Sequence, residues 1–205
     1  MANPSVCFVS LAFFPNAGLN VLVKIVEALA ENAAAAKMEF LVIGGNAVNA
    51  YGYDRVTSDL DLLVRKADRR AWDTLILRLD FRPHQITMSF HMYNPKVSGQ
   101  RPVDLMLVDD PTFEKMRARA VEWELDGAKV HIPALPHLIA MKLHALRSGA
   151  EHRRARDLSD VATLIQMHKL DLATPEYAEI VERYATPEIV AAIRVLLAGP
   201  KSAGP

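Results

Sequence analysis

The sequence predicts an α/β unit over residues 1–132 and a helical region over 133–199 packed on it, with 200–205 as a disordered tail. Three observations point this way. The apolar run "EFLVI" ends in Gly44-Gly45 and is followed by a second strand-like run, "DLDLLV". Two further strand-like runs and a hairpin signal come before residue 133. From Pro133 onward the period is helical, and each segment begins near a proline or a polar cap.

Taken in order, "SVCFVSLAFF" reads as a buried strand or as irregular sequence upstream of the domain. No positive charge precedes it and no clear small-residue cleavage site follows, which disfavours a signal peptide. Asn16 is placed to cap a helix over Ala17–Ala36, whose apolar residues Leu19, Leu22, Val23, Val26, Leu29 and Ala30 recur at three and four. "EFLVI" is a buried strand, and Gly44-Gly45 turns it into a short helix. "DLDLLV" is the next strand. "ADRRAWDTLILRL" gives a helix with Trp72, Leu75, Ile76 and Leu79 on one face. Strands are expected at Gln85–Met92 and Val103–Val108, separated by the turn-rich "NPKVSGQRP". Asp110-Pro111 opens a short helix, and "AVEWELDGAKVHI" forms a hairpin turning at Asp126-Gly127. Four helices follow near Leu135–Arg147, Ala155–His168, Pro175–Tyr184 and Pro187–Leu197.

Composition narrows the function classes. Hydrophobic residues make up 51% of the 205 and charged ones 23%, an ordinary globular balance. Lys plus Arg equals Asp plus Glu at 24 each, so net charge gives no sign of a nucleic-acid partner beyond a local basic patch. The single cysteine, Cys7, forms no intramolecular disulfide and suits a reducing cytoplasm. No apolar run reaches the roughly 20 residues that span a bilayer, so no membrane partner is expected.

The informative stretch runs from Ile43 to Val64, "IGGNAVNAYGYDRVTSDLDLLV". In a strand, residues two apart share a face. Asp59 and Asp61 therefore point the same way, with Leu60 and Leu62 turned to the core. Two carboxylates this close repel, and a divalent cation between them stabilises the ionised pair best. Oxygen ligands without nearby Cys or paired His favour Mg²⁺ or Mn²⁺ over zinc. Asp104 in "RPVDLMLV" is again a polar residue on an apolar strand, and a third carboxylate completes a two-ion site. Gly44-Gly45, between strand and helix, exposes backbone N–H groups suited to phosphate oxygens. Thr57 and Ser58 add hydroxyl donors beside the aspartates. Each feature alone is common: a Gly-Gly turn, a solvated Asp-x-Asp, an edge-strand charge at Asp104. Their occurrence together in this order is not.

These residues resemble the signature of the DNA polymerase β-like nucleotidyltransferase superfamily, a Gly-Gly or Gly-Ser pair, a spacer of about ten residues, then Asp-x-Asp. The resemblance implies a mixed sheet flanked by helices, Asp59 and Asp61 as metal ligands, and Asp104 as the third carboxylate. The spacer, with Arg55 and Thr57, is similar to the small bacterial and archaeal branch that includes antibiotic nucleotidyltransferases and AbiEii-type toxins. Where many relatives have Gly-Ser, this chain has Gly-Gly, which removes one hydroxyl.

"LPHLIAMKLHALRSGAEHRRARDLSDVATLI" is the second cluster. Lys142 and Arg147 lie on one helix; Asp157 and Asp160, three apart, share a face of the next. From spacing alone this is either an amphipathic hairpin with solvated charges or a triphosphate clamp with an acid beside it. AbiEii-type enzymes carry a similar late motif, which implies that Lys142 contacts the triphosphate and that Asp157 or Asp160 is an extra catalytic acid. The seven histidines are scattered without ligand spacing, although His91 lies on a strand expected to border the cleft.

The resulting expectation is a nucleotidyltransferase using two Mg²⁺ or Mn²⁺ ions to move a nucleoside monophosphate from an NTP to an acceptor hydroxyl, with release of pyrophosphate. The acceptor is either an RNA such as tRNA, which implies a toxin with an antitoxin protein partner, or a small hydroxylated molecule such as an antibiotic. The alternative of another class is a module that binds a nucleotide or partner without turnover.

Overall fold

The computed structural model of the chain describes residues 24–148 and 151–198. The N-terminal strand, the Asn16 cap, the start of the first helix and the 200–205 tail lie outside the described residues. Helix α1 covers Ile25–Ala35 and buries Ile25, Val26, Leu29 and Ala33. Strand β1 (Phe40–Val42) leads through Ile43 into α2 (Gly44–Ala50). Then come β2 (Leu60–Arg65), α3 (Arg69–Arg78), β3 (Phe81–Ile86), β4 (Phe90–Pro95) and β5 (Val103–Val108). Helix α4 (Asp110–Arg117) and the hairpin β6 (Val121–Leu125) and β7 (Ala128–Ile132) close the α/β part. Helices α5 (Leu135–Ser148), α6 (Glu151–Met167), α7 (Pro175–Tyr184) and α8 (Pro187–Ala198) follow.

The sheet is mixed, as expected, with order β1-β2-β5-β4-β3. Its centre is the parallel pair β2 and β5, joined by a crossover through α3 and the β3-β4 hairpin. Leu60, Leu62 and Val64 of β2 and Val103, Leu105 and Leu107 of β5 face a core shared with Trp72, Ile76, Phe81 and Tyr93. Fully burying each such side chain contributes about 1.5–3 kcal/mol, so the alternation that keeps Asp61 and Asp104 off this face is strongly held. On the other face Leu63 packs with Leu41, Ile43, Phe113 and Met116, and with Met106, Val108 and Met141. Leu138 of α5 and Leu164 of α6 reach the main core. The rest of α5 and α6 packs with α8 around Ile139, Leu143, Val161, Ile189 and Ile193.

Two elements differ from the expected ones. Gln85–Met92 is not one strand but the end of β3, a turn and the start of β4. The Thr87 hydroxyl accepts from the Phe90 and Ser89 amides, and Thr87 N–H donates to Phe90 O, so the reversal is made without glycine or proline. Helix α6 also starts at Glu151, four residues before the expected Ala155. The Asp126-Gly127 turn forms as expected, with φ of 52° and 85°, the two positive angles of a type I′ hairpin.

Candidate metal and nucleotide site

Parallel pairing of β2 with β5 places Asp61 directly opposite Asp104. Asp59 sits in a bend one residue before β2 rather than on the strand, yet its carboxylate turns to the same point. Ligand oxygens of Asp59, Asp61 and Asp104 all lie within 4.8 Å of one another. Asp59 is held from two sides. The Thr57 hydroxyl donates to its Oδ1 at 3.1 Å, and the buried Asn46 donates through Nδ2 to its backbone oxygen at 3.0 Å.

The electrostatics agree with a cation site. Burial, then repulsion from Asp59, pushes Asp61 up to about 6, against the opposing pull of Arg153, Lys142 and Arg55. Burial, then the Asp61 and Asp59 charges, pushes Asp104 up to about 7, with Arg153 opposing. The donors are all carboxylate oxygens, the set that suits a hard divalent ion. The residues present therefore fit Mg²⁺ or Mn²⁺.

These shifts fix a pH dependence. A carboxyl whose folded pKa lies above its unfolded value adds stability below the unfolded pKa and loses it as pH rises through the folded one. The metal-free protein should lose stability from about pH 4 to pH 7 on account of Asp61 and Asp104. Cation affinity should move oppositely, falling roughly twentyfold from pH 8 to pH 6 as protons compete for both groups. Mn²⁺ calorimetry across that range, with thermal melts alongside, measures both.

The glycines are fitted to this pair of strands. Gly44 has φ of 62°, and a Cβ there would overlap the Asp61 carboxylate outright. A Cβ on Gly45 would lie 2.5 Å from the Thr57 hydroxyl oxygen and 3.1 Å from Arg55 Nη2. Thr57 thus fills with its own hydroxyl the space that a side chain at position 45 would need. Ser58 is exposed to solvent. Gly44→Ala should cost about 1–3 kcal/mol from backbone strain, and should also displace Asp61; a thermal melt and a Mn²⁺ titration read the two effects separately.

The second cluster is assembled differently from its expected role. Lys142 Nζ lies 2.7 Å from Asp157 Oδ1 and 2.8 Å from Asp160 Oδ2, and all three side chains are buried. Asp160 also pairs with Arg55, Nε to Oδ1 at 2.8 Å and Nη2 to Oδ2 at 3.0 Å. Two cations and two carboxylates close a neutral buried network between α5, α6 and the loop before β2. The same loop is tied down by Tyr53 to Ser159 at 3.4 Å and by Asn49 Nδ2 to Arg55 O at 2.9 Å. Tyr51, just after α2, donates to Pro133 O at 2.8 Å. Arg147 is elsewhere, five residues beyond Lys142 and so on another side of α5; it donates to Arg183 O of α7. His91 does not border the cleft: it pairs across from Leu105, is buried on the core face, and its Nδ1 lies 2.7 Å from Asp73 Oδ1. The residue of that strand paired across from Asp104 is its neighbour Met92.

Spacing alone did not single out Asn46 or the long-range partner of Arg55. Asn46 was legible only as one of two asparagines in α2, and it also accepts from Arg101 at 3.2 Å.

A mixed sheet with an acidic triad across its two central strands is the architecture of the nucleotidyltransferase fold, and solved structures agree. ANT(2")-Ia in complex with adenylyl-2"-tobramycin aligns with a TM-score of 0.60 at 16% identity, over 78% of this chain and 97% of that one. An antigenic nucleotidyltransferase-like protein from Paracoccidioides brasiliensis gives 0.50 at 18% identity, over 83% and 91%. The lincosamide antibiotic adenylyltransferase LnuA, lincomycin-bound, gives 0.51 at 12%, over 71% and 99%. At these identities the likeness establishes the fold. No curated protein matches at the level of sequence.

Residues 80–197, more than half of the chain, match the family described as "Nucleotidyl transferase AbiEii toxin, Type IV TA system". The chain belongs to that family. The match contains Asp104 and the whole second cluster, and begins after Gly44–Asp61.

Proposed function

We propose that this chain moves a nucleoside monophosphate from an NTP to an acceptor hydroxyl, with pyrophosphate leaving. The observation that carries the reading is the convergence of Asp59, Asp61 and Asp104 from separate segments on one point. Two divalent ions, Mg²⁺ or Mn²⁺, bound there would supply neutralisation of the attacking and leaving oxygens of an in-line displacement. Asp59 and Asp61 face the donor, with Thr57 keeping the Asp59 carboxylate aligned. Asp104 lies at the acceptor side and takes the proton of the attacking hydroxyl. Gly44 and Gly45 turn their backbone toward the triphosphate, and the exposed Ser58 lines its approach. Lys142, Asp157 and Asp160 serve by holding Arg55 and its loop under the glycine turn, since each is already paired.

We favour RNA, with tRNA foremost, as acceptor, and a growth-arresting toxin held in check by an antitoxin protein as the biological setting. Family membership supports this, as do the three arginines of "HRRAR". A cytoplasmic location follows from such an acceptor. The likeness to ANT(2")-Ia and LnuA supports a second reading, a small hydroxylated antibiotic as acceptor. Incubation with α-labelled NTPs, Mg²⁺ and either tRNA or an aminoglycoside pool separates the two by where the label appears. Label in neither, with NTP bound but unchanged over hours, would leave a non-catalytic binding module.

A further inference from the structure

We infer that Arg101 is a positioning residue for the cation site, holding Asp59 in place through the side-chain amide of Asn46. The inference rests on the three-aspartate site proposed above. Asp61 and Asp104 are set opposite each other by the β2–β5 ladder. Asp59 lacks that support. It stands one residue outside β2, and the first backbone bond from this segment to the chain entering β5 is made by Leu60, whose N–H donates to Pro102 O at 2.9 Å. The backbone oxygen of Asp59 takes a side-chain amide instead, Asn46 Nδ2 at 3.0 Å.

An amide holds a neighbour only when the right end faces it. If Asn46 turned over, its carbonyl end would meet the Asp59 oxygen, acceptor against acceptor. Arg101 sets which end is presented. A guanidinium only donates, and Arg101 Nη1 lies 3.2 Å from Asn46 Oδ1, so the carbonyl end is claimed and Nδ2 is left for Asp59. Arg101 is itself fixed, with Nη2 at 2.6 Å from Asp126 Oδ2 in the turn of the β6–β7 hairpin. One rigid planar fork serves both acceptors, which a lysine ammonium does not. Asn46 is buried in the first turn of α2, directly after the glycine pair, and Arg101 lies three residues before Asp104. A single hydrogen-bonded chain therefore runs from the hairpin through Arg101 and Asn46 to Asp59. It joins the carboxylate carried by the loop to the segment that carries the third one.

The test reads Mn²⁺ affinity by calorimetry on the full chain, with thermal melts alongside, for wild type, R101M, R101K, N46A and the double variant R101M/N46A. Arg101 is a cation, so by charge alone its loss should tighten Mn²⁺ binding. The positioning role predicts the opposite sign. R101M is expected to weaken Mn²⁺ about tenfold or more, R101K to recover part of that, and N46A to weaken it similarly. In the double variant R101M should add nothing to N46A, because the amide it orients is gone. R101M that binds Mn²⁺ as tightly as wild type, or more tightly, would overturn the assignment and leave the cation site standing. Losses that add in the double variant would overturn the route through Asn46. Wild type that binds no Mn²⁺ would overturn the cation site itself, and the assignment with it.

Discussion

Asp61→Asn is expected to lower nucleotide transfer by on the order of a thousandfold and, at pH 8, to raise the melting temperature of the metal-free protein. The two effects come from one cause. Asp61 is a half-buried carboxylate beside two others, and desolvation with repulsion from Asp59 pushes it up to about 6. Asparagine keeps the shape, removes the charge, and removes the ligand. At pH 8 the gain should be on the order of 5 °C for a chain of this size, and it should vanish near pH 4, where Asp61 is protonated in wild type as well. Added Mn²⁺ should stabilise wild type and leave the variant nearly unmoved. A variant that is both inactive and less stable at pH 8 would mean that Asp61 serves the fold, and that the repulsion argument is mistaken.

The second large effect is in the buried network. Asp160→Ala removes the acid shared by Arg55 and Lys142 and should cost about 3–5 kcal/mol, read as a shift in the denaturation midpoint. The double change Lys142→Met with Asp157→Leu removes one cation and one anion and leaves the Arg55–Asp160 pair in place. It should cost well below the single change, because no buried charge is left alone. Equal losses would show that packing volume, not charge balance, governs the cluster. Both variants should also bind Mn²⁺ more weakly to the extent that Arg55 and the loop to Asp59 shift.

Asp61 and Asp104 were legible in the sequence for a local reason. An acid on an apolar strand breaks an alternation that burial enforces, and residues 60, 62, 103 and 105 fix which way 61 and 104 point. The hairpin at Asp126-Gly127 was legible because its dihedral angles demand those residue types. What stayed hidden depended on distance or parity. The partner of Arg55 lies 105 residues away, and one sequence carries no signal for such a pairing. The i, i+3 spacing of Asp157 and Asp160 gave their shared face but not the cations opposite. The turn at Thr87 uses a side-chain hydroxyl in place of glycine or proline, so two strands read as one. The hydroxyl missing from Gly45 was a sequence-level loss that the structure explains: Thr57 stands in that space.

The central claim is that Asp59, Asp61 and Asp104 form one cation site spanning the loop, β2 and β5. Paramagnetic resonance titration of Mn²⁺ at pH 7.5 tests it directly on wild type and the variants D59N, D61N and D104N. The account predicts a saturable site in wild type that each variant weakens by about tenfold or more. Undiminished binding in D104N, whose carboxylate comes from a different strand 43 residues beyond Asp61, would contradict it.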